Sequence, residues 1–381
     1  MRFMPACALW LSVSPVALAL APAAQPGAAP RPHKPNEVGL IPIIMYHSVG
    51  EALPGRRPLA YDKRGLNIAP STFRRQLQLM YEAGWYPMNV RDLFTSRLAV
   101  PVGKTPVAIT FDDARGSQFR LLPNGAVDPN CAVGILDEFS RTHPDWPRRA
   151  SFYVLPRSRY NPTPFWQPGK EKQKLAYLVQ AGYEIGNHSA THPFLSHMGL
   201  DKLRWEVAEC IRYVRKLEPR ATMDTFCVPY GAMPRTPGGK EALLHGLQGG
   251  TAYQNRCLLE AWGGPSYPVT HRKFDASCVT RIGTAPGEVE ATIRALTLGR
   301  GMHEYVSDGD PNTVTVPSWA QKLVNPARLD GARLVVYPDA PPGAGKKAKA
   351  SAGKAKASAR REGQTARGRA RAPGSATGRS R

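Results

Sequence analysis

The chain has 381 residues, 42% of them apolar, with a formal net charge of +22. That length can bury the core of one large domain, and only one stretch, near the N-terminus, is long and apolar enough to span a bilayer as a helix. The charge is uneven: residues 341–381 carry 12 Lys or Arg against the single acid Glu362, half of the excess.

In chain order, Arg2 followed by the apolar stretch Ala6–Leu20 and then small residues to Ala24 predicts a secretory signal peptide over residues 1–24, with an uncleaved anchor as the alternative. Residues 25–37 are a Pro/Ala-rich linker. From Val38 short apolar strands alternate with helical stretches, the pattern of an α/β fold with a parallel sheet. Ile41–Tyr46 is a strand. Pro70 opens a helix through Gln76, Leu77 and Tyr81, with Ser71 or Thr72 as its N-cap and Gly84 as its end. Val107–Phe111 is a buried strand, Ala132–Phe139 a helix and Ser151–Leu155 a strand. Lys172–Gln180 has helical spacing, Tyr183–Ile185 is a strand, Leu203–Leu217 a helix and Thr225–Val228 a strand. The pattern weakens after Arg281, and Ala332–Tyr337 is a last strand. The Lys/Arg/Ala/Gly-rich tail, 341–381, has nothing to bury and is expected to be disordered. Behind a signal peptide its partners would be anionic envelope polymers or a membrane surface, with no specific nucleic acid expected; a tail that stays solvated is the alternative.

Two clusters carry chemistry. Thr110-Phe111-Asp112-Asp113 closes a buried strand, where charged residues need a reason. His188-Ser189-Ala190-Thr191-His192 follows another strand, and Gly186-Asn187 before it and Pro193 after it place it on a loop. Two imidazoles and one carboxylate make a three-ligand metal set with room for a water, whose pKa the metal lowers. The remaining carboxylate can take that water's proton. Either cluster alone is common; a lone Asp-Asp is usually a solvated surface. Together they read as metal-assisted hydrolysis.

These residues resemble the polysaccharide deacetylase family (carbohydrate esterase family 4) over residues 40 to 285. The resemblance implies a distorted, incomplete (β/α) barrel of fewer than eight repeats, so that residues 38–340 form a deacetylase-like catalytic domain. It makes Asp112 the catalytic base and Asp113, His188 and His192 the ligands of a divalent metal, zinc by default, with cobalt, nickel or manganese also suited. Phe226-Cys227-Val228-Pro229-Tyr230-Gly231 resembles a third motif, whose Tyr230 backbone N–H would hold the oxyanion, and Ile41–His47 resembles the family's first strand. The implied substrate is an acetylated polysaccharide of the N-acetylglucosamine type, in the envelope or outside the cell, and the product is acetate. An O-acetyl esterase and a catalytically silent glycan-binding protein are the alternatives.

The departures are specific. Cys227 stands where the family often carries an Arg that pairs with the catalytic Asp, and Ala114 where Gly commonly follows the Asp pair. The late Leu-x-His motif that supplies a general acid has no counterpart after Arg281, and the surroundings of His303 do not read as a strand delivering one. His47 is the replacement candidate. His33, His143, His197, His245 and His271 are expected to be surface or structural. Tyr160, Phe165, Trp166, Trp262 and Tyr267 are candidate sugar contacts, with core packing the alternative for each. The stretch 115–149 is expected to shape substrate access. Five cysteines remain beyond the signal, with Cys257 and Cys278 the first expected bridge. Oligomeric state is not legible.

Overall fold

The computed structural model describes residues 34–50, 63–159, 163–299 and 303–339. The signal segment, the basic tail, Cys7, His33 and Tyr160 lie outside them. Eight strands form one sheet: β1 Ile43–Tyr46, β2 Trp85–Met88, β3 Thr105–Phe111, β4 Ser151–Val154, β5 Glu184–Asn187, β6 Phe226–Cys227, β7 Leu258–Gly263 and β8 Val279–Arg281. Seven run in the order β1-β3-β4-β5-β6-β7-β8, each neighbour parallel, and β2 pairs with the first half of β3, Trp85 opposite Thr105. The ring closes where Ile282, just past β8, lies against β1: Met45 N donates to Ile282 O and Ile282 N to Ile43 O, each at 2.8 Å. This is the distorted (β/α) barrel expected, with a ring of seven.

Local sequence explains the elements. All seven residues of β3 are buried, as a strand covered on both faces requires. Helix α1 (Pro70–Glu82) buries Phe73, Gln76, Leu77, Met80 and Tyr81 at three- and four-residue spacing. Its start differs from expectation: Ala69 is the N-cap, without a side-chain hydrogen bond, because Pro70 at the first helical position is already preset for the helix. Helices α2 (Ala132–Thr142), α3 (Glu171–Ala181) and α4 (Leu200–Leu217) match the expected spans to within a few residues. Tyr46, Phe73, Phe111 and Phe152 form an aromatic stack at the core, with Phe111 and Phe152 centroids 4.9 Å apart. Gly186 in β5 lies flat against the Tyr153 ring, where an added Cβ would come within 2.3 Å of it.

Beyond Arg281 the chain is more ordered than its pattern suggested. Helix α5 (Glu288–Thr297) follows, then a parallel pair, Thr313–Pro317 with Arg333–Tyr337, over its own cluster of Val38, Val314, Val316, Ala320 and Val324. Cys131, Cys210, Cys227, Cys257 and Cys278 are all free. The expected Cys257–Cys278 bridge is not formed, because Cys257 packs inward beside Cys227 and Leu259 while Cys278 Sγ turns toward Glu260, 3.9 Å away. No helix among the described residues is long and apolar enough to cross a membrane.

Buried Glu37 fastens the C-terminal segment, accepting from Tyr305 OH at 3.0 Å and Thr315 N at 2.7 Å. Burial pushes its pKa from 4.5 up to about 7 despite the hydrogen bond from Thr315 N–H, which favours the charged form. The folded state thus holds this proton more tightly than the unfolded chain. Glu37 favours folding fully below about pH 4.5 and loses that contribution as pH rises to about 7. In Glu37→Gln, the fall in unfolding free energy between pH 5 and pH 8 is expected to shrink by about 2–3 kcal/mol, measured by urea denaturation.

Candidate active site and metal centre

The barrel brings the separated motifs to the carboxyl ends of its strands, where sites of such folds lie. His47 follows β1, Asp112 and Asp113 follow β3, His188 and His192 follow β5, Tyr230 follows β6, and Arg281 ends β8. Asp113 Oδ1 stands 3.3 Å from Nε2 of both His188 and His192. A tetrahedral ion with bonds near 2.1 Å separates its ligand atoms by about 3.4 Å, so both separations suit ligation of one divalent ion. His188 Nδ1 lies 2.9 Å from Cys227 O; donating there leaves Nε2 free for a cation. Arg115 Nε and Nη2 hold the other Asp113 oxygen at 3.2 and 3.1 Å. A second grouping, Asp112, His188 and Cys227, also lies within reach of a common ion. It does not fit one, since the Asp112 carboxylate is already occupied and burial pushes the Cys227 thiol up, away from the thiolate a metal requires.

The loops are strained where the chemistry converges. Of nine non-glycine residues with positive φ among those described, seven are Asp113, Ala114, Phe165, Trp166, Ser189, His192 and Tyr230, all on these motifs or packed beside them. Ala114 at φ 46° explains why glycine suits the place after the Asp pair. The histidine loop is held from below by Glu206 of α4, fully buried, which accepts from Ala190 N (3.0 Å), Thr191 N (2.9 Å) and Thr191 Oγ1 (2.8 Å). Ser117 and Gln118, on the stretch expected to shape access, brace the motif instead: Gln118 Nε2 donates to His47 O at 2.7 Å and to Asp112 O, and Val49 N donates to Ser117 Oγ.

Sequence reasoning missed Arg281. Its guanidinium, fully buried, grips Asp112 with both arms, Nη1 to Oδ1 at 2.8 Å and Nη2 to Oδ2 at 2.7 Å. It also donates to Thr110 Oγ1, Cys227 Sγ and Glu260 O. Cys227 Sγ donates to Asp112 Oδ2 at 3.3 Å. Burial alone would raise the Asp112 pKa, but Arg281 holds it well below the usual carboxylate range. The arginine absent at 227 is thus supplied from the last strand. The available signal was an Arg sharing the strand face of Val279, next to Ile282; Glu206, an acid on the apolar stripe of α4, was the same kind of signal.

His47 lies in this mouth with its Nδ1 buried and unpartnered among the described residues. Burial lowers its pKa, against the pull of Asp112 and Asp113. His303 is elsewhere: its ring packs at a tilt against Trp319, and its carbonyl accepts from Leu40 N at the opposite end of the barrel. His143 stacks on Phe139 and meets Tyr81 edge-on, and His271 stacks on Tyr267, structural as expected. Tyr230 stacks on exposed Phe194, centroids 4.1 Å apart, and meets the edge of His192 at 4.3 Å. Of the other aromatics, Phe165 is core, Trp166 packs near Gly116, Trp262 is exposed and Tyr267 is taken by His271.

Residues 99–248, which include both motif loops, match the model of the polysaccharide deacetylase family. The chain carries a polysaccharide deacetylase domain. That places it among hydrolases acting on carbon–nitrogen bonds other than peptide bonds. The fold is similar to that of the deacetylase PplD of Streptococcus pyogenes, solved in complex with acetate, at 18% identity and a TM-score of 0.50, over 70% of this chain and 99% of that one. IcaB from Ammonifex degensii is also similar, at 18% identity and a TM-score of 0.46, over 69% of this chain and 100% of that one.

Two expectations follow for this deacetylase domain. Glu206→Gln, which replaces the charged acceptor under the histidine loop, is expected to weaken metal affinity about 10- to 100-fold, measured by competition with a chromogenic chelator. Arg281→Met strands a buried carboxylate and is expected to cost about 3–5 kcal/mol in urea denaturation. With the guanidinium gone, burial raises the Asp112 pKa, so the acid limb of the pH–rate profile moves to higher pH. Adding Cys227→Arg should move that limb part of the way back.

Proposed function

We propose that the chain removes N-acetyl groups from an N-acetylglucosamine-type polysaccharide of the envelope or the extracellular space, releasing acetate. The observation that carries this reading is the pair of neighbouring carboxylates at one strand end. Asp113 is arranged with two imidazoles at metal-ligand spacing, and Asp112 is kept charged but ligand-free by Arg281. A divalent cation on Asp113, His188 and His192, zinc by default, would supply a Lewis acid and lower the pKa of water. Asp112 takes the proton of the attacking water, and Arg281 fixes that carboxylate's orientation. The Tyr230 N–H, on the loop after β6, is the candidate donor to the developing oxyanion. His47 is the candidate to protonate the leaving amine.

A second reading, O-acetyl ester hydrolysis on an acetylated glycan, is favoured by one observation. Burial keeps His47 largely neutral, and an alkoxide leaving group needs less help from an acid than an amine does. A silent glycan-binding role is opposed by the ionised Asp112, which binding alone does not require. Export through the N-terminal segment, and association of the basic tail with anionic envelope polymers or a membrane surface, belong to the same proposal.

The test is acetate release from N-acetylglucosamine oligomers and from an O-acetylated xylan, with chelator-treated and metal-restored protein. Metal-dependent release is expected, with Asp112→Asn at least about 10²-fold slower. His47→Ala should slow amide cleavage more than ester cleavage. A tightly bound metal with no release from either substrate would sink the hydrolase reading in favour of glycan binding.

A further inference from the structure

The amino ends of β4, β5, β6 and β7, opposite the site above, and the segment after β2 border a second concavity of about 650 Å³. Arginines from five separate segments converge on it: Arg91 after β2, Arg97, Arg149 just before β4, Arg220 after α4 and Arg256 before β7. Five guanidinium groups around one cavity repel one another unless anions lie between them. The acids at hand do not balance them. Asp224 Oδ2 alone serves both Arg91 Nη2 at 3.1 Å and Arg256 Nε at 2.9 Å. Glu218 is taken by Arg220. Arg97 and Arg149 have no carboxylate within ion-pair distance among the described residues; each donates to a backbone carbonyl, of Asp330 and Arg148 respectively.

Two further acids line the cavity. Asp92 contributes one charge. Glu184 turns into the barrel, where Ser151 Oγ, Thr225 Oγ1 and Arg91 N donate to it; even counted as charged, it leaves five arginines against the four acids Asp92, Glu184, Glu218 and Asp224. The surplus remains positive, and the arginines present fork-shaped donors suited to oxyanions. The volume falls in the range of small-ligand sites, and Tyr86, Met88 and Val179 give it an apolar wall.

We propose that this cavity binds an anion of sugar size bearing a phosphoryl or carboxylate group, at a site separate from the deacetylase centre. Its recognition elements would be the guanidinium groups of Arg97 and Arg149, with Arg91, Arg220 and Arg256 completing the rim. A charged sugar of the polymer seated there would hold the glycan at the far end of the barrel from the catalytic mouth.

Isothermal titration calorimetry of the full chain at low salt, with glucose 6-phosphate, glucuronate and uncharged glucose, tests this. Saturable one-to-one binding of at least one anion is expected, with no heat from glucose, and the preferred anion tells phosphoryl from carboxylate sources. Arg97→Gln/Arg149→Gln, and separately Arg149→Glu, should weaken that binding at least about tenfold while melting temperature and acetate release stay unchanged. Equal binding of glucose would overturn the proposal. So would anion binding that both variants retain, which would place it on the basic tail, or the absence of any saturable binding.

Discussion

A carboxylate that must stay ionised in a dry pocket needs a cation held against it, and the rest of this structure is arranged around that requirement. Asp112 is buried, and desolvation alone would push its pKa up. Arg281 prevents this with two charge-assisted hydrogen bonds. Arg281 is on the last strand of the ring, so the bridge from Ile282 to β1 does more than finish a barrel. It carries the guanidinium around to the first motif, 169 residues away in sequence. Fold closure and the charge state of the expected base are one event.

The same logic explains the contrast between neighbouring aspartates. Asp112 and Asp113 are adjacent in sequence, yet one faces an arginine and a thiol and the other faces two imidazoles. The left-handed backbone at Asp113 turns the two carboxylates apart. A cation competes poorly for Asp112, because both of its oxygens are taken, and well for Asp113, whose Oδ1 lies between two ring nitrogens. Strain at Asp113, Ala114, Ser189 and His192 is carried by the buried framework below: Glu206 under the histidine loop and Gln118 behind the aspartates. A polar framework of this kind works only when its groups are satisfied together.

Much of this was legible in residues 41 to 228. Strands such as Val107–Phe111 and Ser151–Leu155 are apolar runs with clear ends, and helices such as Leu203–Leu217 have strong periodicity, so local pattern and fold agree. Trp85–Met88 carries a proline and Leu258–Gly263 an acid, and neither looks like a core strand. The segment beyond Arg281, apart from its last strand at Arg333–Tyr337, was underestimated for a related reason. Its two strands pair with each other, and Glu37, 278 residues from Thr315, supplies an acceptor to the first of them. Pattern reading sees no partner at that distance.

By itself the sequence determined the parallel α/β class, the identity of the two motif loops and the four residues, Asp112, Asp113, His188 and His192, around which a site could be built. These are local matters of strand ends, residue chemistry and spacing. Tertiary structure alone decided that Arg281 replaces the arginine missing at Cys227, that His303 lies away from the site, that Cys257 and Cys278 stay unpaired, and that five arginines meet at the far end of the barrel. Each of those depends on which strand ends lie side by side once the ring has closed, and no residue's neighbours along the chain encode that.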